Sequence, residues 1–378
     1  MSYLLTEEQQ LIKQNAREFA KEYLEPAATE LDKTGEYPAE IVRHMAEHDF
    51  LGRSLPTEFG GTGVGHLSYV LAVEELAKVS AAVASILVHH ASLACYAINK
   101  WGTDTQKKTY LPAMAKGTML GAFALAEPGP ALGIGPDTVM ATKTDAGYIV
   151  KGIKSYVANA GVAGVYVVFA CADPAAGAKS LTAFLVDAKT PGLTVGPNKR
   201  NMGLHGCPTA DVIFNNVLLT EAHVLGTVNG GQAIATETLA VASVAEAAET
   251  LGIAQAAVEH AAKYAKQRVQ FGKPIGTFQA IQTMLAEVAT NCHLSRFAIY
   301  DAASLIEQGL PFTAEAAMVK LFAARIGMES LIDVVQVEGG YGYSEEMPMA
   351  RLYRDVSGTT LRESPGDFPE KLIAASLV

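Results

Sequence analysis

Arg268, Gln270 and Gln279 flank a break between two helical patterns, and together they could hold an anionic or amide-bearing ligand. Arginine offers a rigid fork of donors suited to phosphate, and glutamine both donates and accepts. The competing reading is an ordinary helical hairpin with a solvated basic tip. A second group, Gln336-Val337-Glu338-Gly339-Gly340, closes a helical pattern on two glycines. Such a pair either lets a ligand approach the backbone closely or stops the helix in a Schellman-type turn. Glu363, in Leu361-Arg-Glu-Ser-Pro-Gly366, is an isolated carboxylate, which is far more often a surface loop residue than a general base. His89 and His90 lie in an apolar run without a third ligand at metal spacing, which favours a satisfied core pair over a metal site.

The elements that must position these residues alternate in texture. Thr6 and Gln9 form a capping-box start, and Ile12, Ala16, Phe19, Ala20 and Tyr23 mark one helical face behind it. Further helices are expected from Ala39 to about Asp49, from Leu67 to about Val79 and from Ala81 to about Lys100. The run from Ala81 to Asn99 is apolar almost all round and should be buried. From about Gly121 to Val228 the chain turns to Val, Ile, Thr and Gly. Short runs at 148–150, 165–169, 181–186 and 211–214 read there as strands of a barrel or sandwich. After Gly230-Gly231, long Ala-rich helices return. One of them ends in the basic turn Lys266 to Gly272; Pro274 and Gly276 break the pattern, and Phe278, Ile281, Leu285 and Val288 restart it. The expected fold is α+β with three domains: an N-terminal helical domain (1–120), a middle β-barrel or sandwich domain (121–230) and a C-terminal four-helix-bundle-like domain (231–378).

Bulk properties narrow the function. The chain has 378 residues, 49% hydrophobic and 18% charged, which suits a folded globular protein with several cores. A net charge of −10 argues against nucleic acid as a partner. Four cysteines without C-x-x-C spacing speak against a zinc site or disulfide framework and fit a reducing compartment. The start MSYLLTEEQQ is unlike a signal peptide, and no uninterrupted apolar stretch reaches the roughly 18 residues of a membrane span. A cytoplasmic protein is expected. Walker, G-x-G-x-x-G and G-x-S-x-G motifs are absent from the sequence.

Several motifs in order carry a resemblance. Gln267-Arg268-Val-Gln270-Phe271-Gly272-Lys-Pro-Ile, Phe278-Gln279-Ala-Ile-Gln282, the Gln336 to Tyr343 glycine turn and Arg351-Leu-Tyr-Arg354-Asp355 resemble the acyl-CoA dehydrogenases, closest in style to the short-chain (butyryl-CoA) branch. The resemblance runs from Leu5 to Leu377 and implies an FAD-dependent enzyme of fatty acid metabolism, commonly a homotetramer built as a dimer of dimers. It implies that Arg268, Phe271 and Gln279 meet the diphosphate and adenine side of FAD across a subunit boundary, with Gln336, Val337, Gly339 and Gly340 lining the adenosine half. Leu125, Ala126, Tyr156 and Ala158 fall at the flavin ring, and Leu132, Ser243 and Ser364 at the substrate. Glu363 falls on the base that removes the α-proton of an acyl-CoA thioester while the β-hydrogen leaves as hydride to flavin N5. An electron-transferring flavoprotein then exchanges the electrons, and the reverse reaction is reduction of an enoyl-CoA.

The departures from the family pattern cluster at the ring end. Its threonine-glutamate-proline reads Ala126-Glu127-Pro128 here, a serine has become Leu132, and the threonine facing flavin N5 is Ala158. An aspartate-glycine-glycine-arginine stretch reads Ala240-Val-Ala-Ser243, and the loop after the base reads Ser364-Pro365-Gly366-Asp367. Each lost side-chain hydrogen bond is worth about 0.5–1.5 kcal/mol. One explanation retains FAD through backbone groups, Arg268, Gln279 and Gln336. The other is a diverged paralogue with weak FAD binding, acting in non-oxidative acyl-CoA chemistry or as a partner subunit of a heteromeric complex. Glu246, one turn beyond Ala242 on the same helix, is close to where some family members carry their base; the bland expectation is a partly exposed polar residue. His90, Leu93 and Tyr96 are expected to border the acyl pocket.

Overall fold

The computed structural model describes residues 5–129, 138–173, 175, 180–361 and 368–378. Leu132, Glu363 and Ser364 therefore lie outside the described residues. Among the described residues, seven α-helices precede the sheet: α1 (Glu7–Phe19), α2 (Ala28–Thr34), α3 (Ala39–Glu47), α4 (Gly65–Ala77), α5 (Ala81–Val88), α6 (Tyr96–Trp101) and α7 (Asp104–Ala115). The capping box forms as expected: Gln9 N–H donates to Thr6 Oγ1 at 3.2 Å, and Thr6 N–H donates to Gln9 Oε1 at 3.0 Å. A π-helical segment, His89–Cys95, joins α5 to α6. The resulting stretch Ala81–Trp101 is long and apolar enough to cross a membrane, but 94% of its most apolar window is buried inside the protein. The sequence rule missed this length because His89 and His90 interrupt the apolar run.

The sheet contains β1 (Leu120–Ala124), β2 (Met140–Thr144), β3 (Gly147–Ala158), β4 (Ala163–Cys171), β5 (Leu181–Asp187), β6 (Leu193–Val195), β7 (Thr209–Leu219) and β8 (Val224–Leu225). Its order is β6-β7-β3-β2-β4-β5-β8, with β1 running parallel to β4. β4 reads as continuous hydrophobe because both its faces are covered. Val165, Val167 and Phe169 join a core with Leu93, Ile98 and Met114 of the helices. Tyr166, Val168 and Ala170 turn the other way, into a core shared with Val150 of β3, Phe184 of β5 and Phe214 of β7. Strands from both halves of the sheet meet in that second core, as a barrel or sandwich requires.

The chain then forms α8 (Gly231–Gln267), a small hairpin of β9 (Val269–Gln270) and β10 (Lys273–Pro274), and α9 (Gln279–Gln308). α10 (Thr313–Glu338), α11 (Pro348–Leu361) and α12 (Phe368–Leu377) follow. The N- and C-terminal helices share one apolar core, in which Tyr69, Val73 and Leu87 pack with Val244, Leu251, Ile299 and Leu331. Polar contacts cross the same boundary: Lys13 of α1 and Arg296 of α9 donate to Glu74 of α4 at 3.2 and 3.0 Å. A second junction ties all three parts together. Asp32 pairs with Arg354 at 2.9 Å, and the N–H of Leu204 donates to Asp355 at 2.6 Å.

Candidate functional site

The end of α8, the β9–β10 hairpin and the end of α10 enclose a cleft of about 530 Å³. Its lining includes Tyr264, Arg268, Gln270, Gln336, Gly339 and Gly340. Two of the expected groups, more than 60 residues apart in sequence, are thus brought together. Helix α8 stops because Arg268 adopts extended backbone while its N–H still caps Tyr264 at 2.8 Å; its carbonyl accepts from Ile275 at 2.8 Å. The hairpin turns through Phe271 and Gly272 at φ 52° and 76°, the two positive values of a type I′ turn. The expected solvated loop is therefore a structured hairpin, and it holds the Phe271 ring 92% exposed.

The cleft has anion-binding character on one wall. Arg268 has no carboxylate partner among the described residues; its guanidinium lies 5.9 Å from the Tyr341 ring centre. On the opposite wall Gly339 stands at φ 61°, ψ −137°, so the helix stop is not a left-handed Schellman cap. A Cβ at Gly339 or Gly340 would meet nothing within 4 Å, which leaves backbone open to an approaching group. Glu338 is buried and receives His260 Nδ1 at 2.6 Å, while its Oε2 has no hydrogen-bond partner among the described residues. Glu338 carries no role of its own in the sequence motif; its place between a glutamine and two glycines is the available signal. Gln279 opens α9 with its side chain exposed and does not line the cleft.

The ring-end candidates form a separate group on the sheet. Leu125 and Ala126 follow β1, and their carbonyls accept from Lys154 Nζ at 2.9 Å and from Ser155 N–H at 2.8 Å. Glu127 accepts from the same Lys154 at 2.6 Å and from the Thr138 N–H and hydroxyl at 2.6 and 2.8 Å. Burial alone would raise the Glu127 carboxyl, but Lys154 and Thr138 outweigh it and hold it below its ordinary value. Tyr156 sits at φ 54° on a bulged stretch of β3, 60% exposed, with Lys199 Nζ 4.6 Å from its ring centre. Ala158, at the end of β3, is buried. Lys154, unassigned from sequence, is what fixes this loop.

Substrate-side expectations fare unevenly. Ser243 is buried, its hydroxyl donating to the Leu239 carbonyl at 2.8 Å. His90 is enclosed: Gly121 N–H donates to its Nδ1 at 3.0 Å, Cys95 Sγ lies 3.4 Å from Nε2, and burial pushes its pKa down to about 4. Leu93 packs into the core, and Tyr96 donates to Glu237 at 2.6 Å. Glu246 departs from expectation most. It is not partly exposed but fully buried, paired with Lys320 of α10, because α10 and α11 cover that face of α8.

Comparison with known proteins gives consistent results along the chain. Three family models match: acyl-CoA dehydrogenase N-terminal domain over residues 6–118, middle domain over 122–217 and C-terminal domain over 229–377. The chain is 40% identical over 380 residues to acryloyl-CoA reductase (NADH) of Anaerotignum propionicum, covering 100% of this chain and 96% of that protein. Butyryl-CoA dehydrogenase from Megasphaera elsdenii superposes with a TM-score of 0.97 at 38% identity, with 100% of each chain covered. The same score, identity and coverage hold for a chain from a structure described as the electron transferring flavoprotein of Acidaminococcus fermentans, with a mechanism of flavin-based electron bifurcation as its subject.

Proposed function

The chain belongs to the acyl-CoA dehydrogenase family, and from that premise we propose that Glu363 is the base of an FAD-dependent acyl-CoA dehydrogenase or, in reverse, enoyl-CoA reductase. The enzyme is an oxidoreductase acting on CH–CH bonds, with domains divided near residues 120 and 230. One observation carries the assignment of the nucleotide half: the cleft that unites Arg268 with Gln336, Gly339 and Gly340. The residues fit the group. Arg268 offers an uncommitted donor fork for the diphosphate, the open glycines admit a nucleotide against backbone, and Glu338 Oε2 awaits a donor.

The ring-end group, Leu125, Ala126, Tyr156 and Ala158, contributes nothing to the lining of that cleft. A second copy of the chain would complete the site, its cleft and its exposed Phe271 meeting the first copy's sheet. A cytoplasmic homotetramer, as a dimer of dimers, is the assembly proposed, with an electron-transferring flavoprotein as redox partner. When bound, FAD supplies the acceptor for the β-hydride. The chain's own residues hold the thioester, with Ser243, Leu132 and Ser364 on the substrate side, and Glu363 takes the α-proton onto a carboxylate oxygen. Gln279 and Phe271 act at the subunit boundary. Val337 supports the adenosine wall.

The absorbance spectrum of the purified protein tests this reading. A flavin band near one equivalent per chain, bleached anaerobically by a saturated acyl-CoA, is the expected result. A colourless protein that cannot be reconstituted with FAD would point instead to the diverged paralogue. Glu363→Gln should keep the flavin and lose turnover; full activity in that variant would remove Glu363 from its role.

A further inference from the structure

Where α8, α10 and α11 meet, two opposite charges are enclosed: Glu246 is 0% exposed and Lys320 2%. Lys320 Nζ donates to a Glu246 carboxylate oxygen and, at 2.6 Å, to the carbonyl of Thr359. The hydroxyls of Thr250 and Thr359 lie 2.8 Å apart, and Thr359 donates onward to the Val356 carbonyl at 2.8 Å. Three helices are therefore clamped at Thr359 of α11. Glu246 supplies the counter-charge for this enclosed lysine. Such a pair gives little net stability over apolar residues of the same volume. What it gives is direction: it ties Thr359 of α11 to α8 and α10, four residues before Glu363 in sequence.

We propose that Glu246 and Lys320 are positioning residues for the α-proton-removing base: Lys320, paired with Glu246, pins Thr359 of α11 and with it the chain four residues before Glu363 in sequence. The inference rests on the reading of Glu363 as the base. It also gives Glu246 a role of its own that is neither a surface carboxylate nor a second base, since its charge is committed to Lys320.

The test uses the FAD-loaded full chain and a panel of saturated acyl-CoA thioesters, taking the one that bleaches the wild-type flavin fastest. Single substitutions can misfold by stranding one buried charge, so the decisive variant is the paired Glu246→Leu, Lys320→Met. It should fold, keep its flavin and half-saturate at the wild-type thioester concentration, yet reduce its flavin at least about tenfold more slowly, a loss of about 1.4 kcal/mol in the barrier. Amide hydrogen exchange at the end of α11 should quicken, a readout independent of turnover. Lys320→Arg, which keeps a donor for the Thr359 carbonyl, should recover most of the rate. Flavin reduction at wild-type speed in the paired variant overturns the proposal. Glu363→Gln separates the two readings: if it is inert while the paired variant is fast, only the clamp fails. If Glu363→Gln itself reduces flavin normally, the base assignment fails and the clamp's purpose with it.

Discussion

Lys154 reaches from β3 to the carboxylate of Glu127 at 2.6 Å from a position with no solvent exposure. The same ammonium donates to the Leu125 carbonyl, so one buried cation shapes the loop after β1 that the ring-end residues occupy. This explains how Ala126 can replace a threonine without loosening the loop. The side-chain hydroxyl is gone, but the Ala126 carbonyl is still held by Ser155. Lys154→Met would leave Glu127 buried without its counter-charge and should cost about 3–5 kcal/mol. Chemical denaturation of the variant checks this. Adding Glu127→Leu to it should recover most of the loss, because the stranded charge is removed as well.

Arg268 is exposed and makes no ion pair among the described residues, so its removal should not disturb the fold. Arg268→Ala is expected to melt within a degree or two of wild type while binding FAD about 10–100-fold more weakly, the worth of charge-assisted hydrogen bonds to phosphate. Lysine should restore only part of this, since it lacks the planar fork. Fluorescence titration of apoprotein with FAD makes the measurement. Unchanged affinity in the alanine variant would return Arg268 to the status of a solvated tip.

How far the sequence reveals this site depends on the range of the interaction. Thr6 with Gln9 announces a helix start because both partners lie within one turn, and β4 announces a doubly buried strand through its unbroken hydrophobicity. The cleft residues were visible as motifs, though the cleft was not, since its walls come from the ends of α8 and α10. The burial of Glu246 is hidden from the sequence for the same reason. Its own helix is Ala-rich and says nothing of Lys320, which lies 74 residues away and arrives only when α10 packs against α8. Strands β1 and β2 escaped notice because Leu120–Ala124 is short and Met140–Thr144 carries Lys143 and two threonines, a polar edge that periodicity does not separate from a loop.

Gly340 offers a cleaner probe of the cleft than any charged residue. It needs no positive φ, and a Cβ there would meet no atom within 4 Å. Gly340→Ala should therefore leave the apoprotein as stable as wild type, within about 0.5 kcal/mol. If the nucleotide lies against this backbone, the added methyl should still weaken FAD binding about tenfold. Gly339→Ala is the contrasting control, because its φ of 61° makes any side chain strained and should cost about 1 kcal/mol or more before a ligand is added. Equal FAD affinity for wild type and Gly340→Ala would move the nucleotide elsewhere.

The junction of the three parts should respond to pH through Asp355. Burial raises its carboxyl from 3.8 to about 6, only partly opposed by the Leu204 N–H and by Arg351. A folded-state value above the unfolded one means the folded protein binds more protons than the unfolded chain between pH 4 and 6. Stability from this group is thus present at the acid end and lost as pH rises through that window, a change of about 3 kcal/mol. Asp355→Asn keeps an oxygen for the Leu204 N–H and carries no charge to desolvate. Its melting temperature relative to wild type should therefore rise steadily from pH 4 to pH 7 and level off above. A constant difference across that range would show that Asp355 is ionised throughout, with Arg351 and Leu204 outweighing its burial.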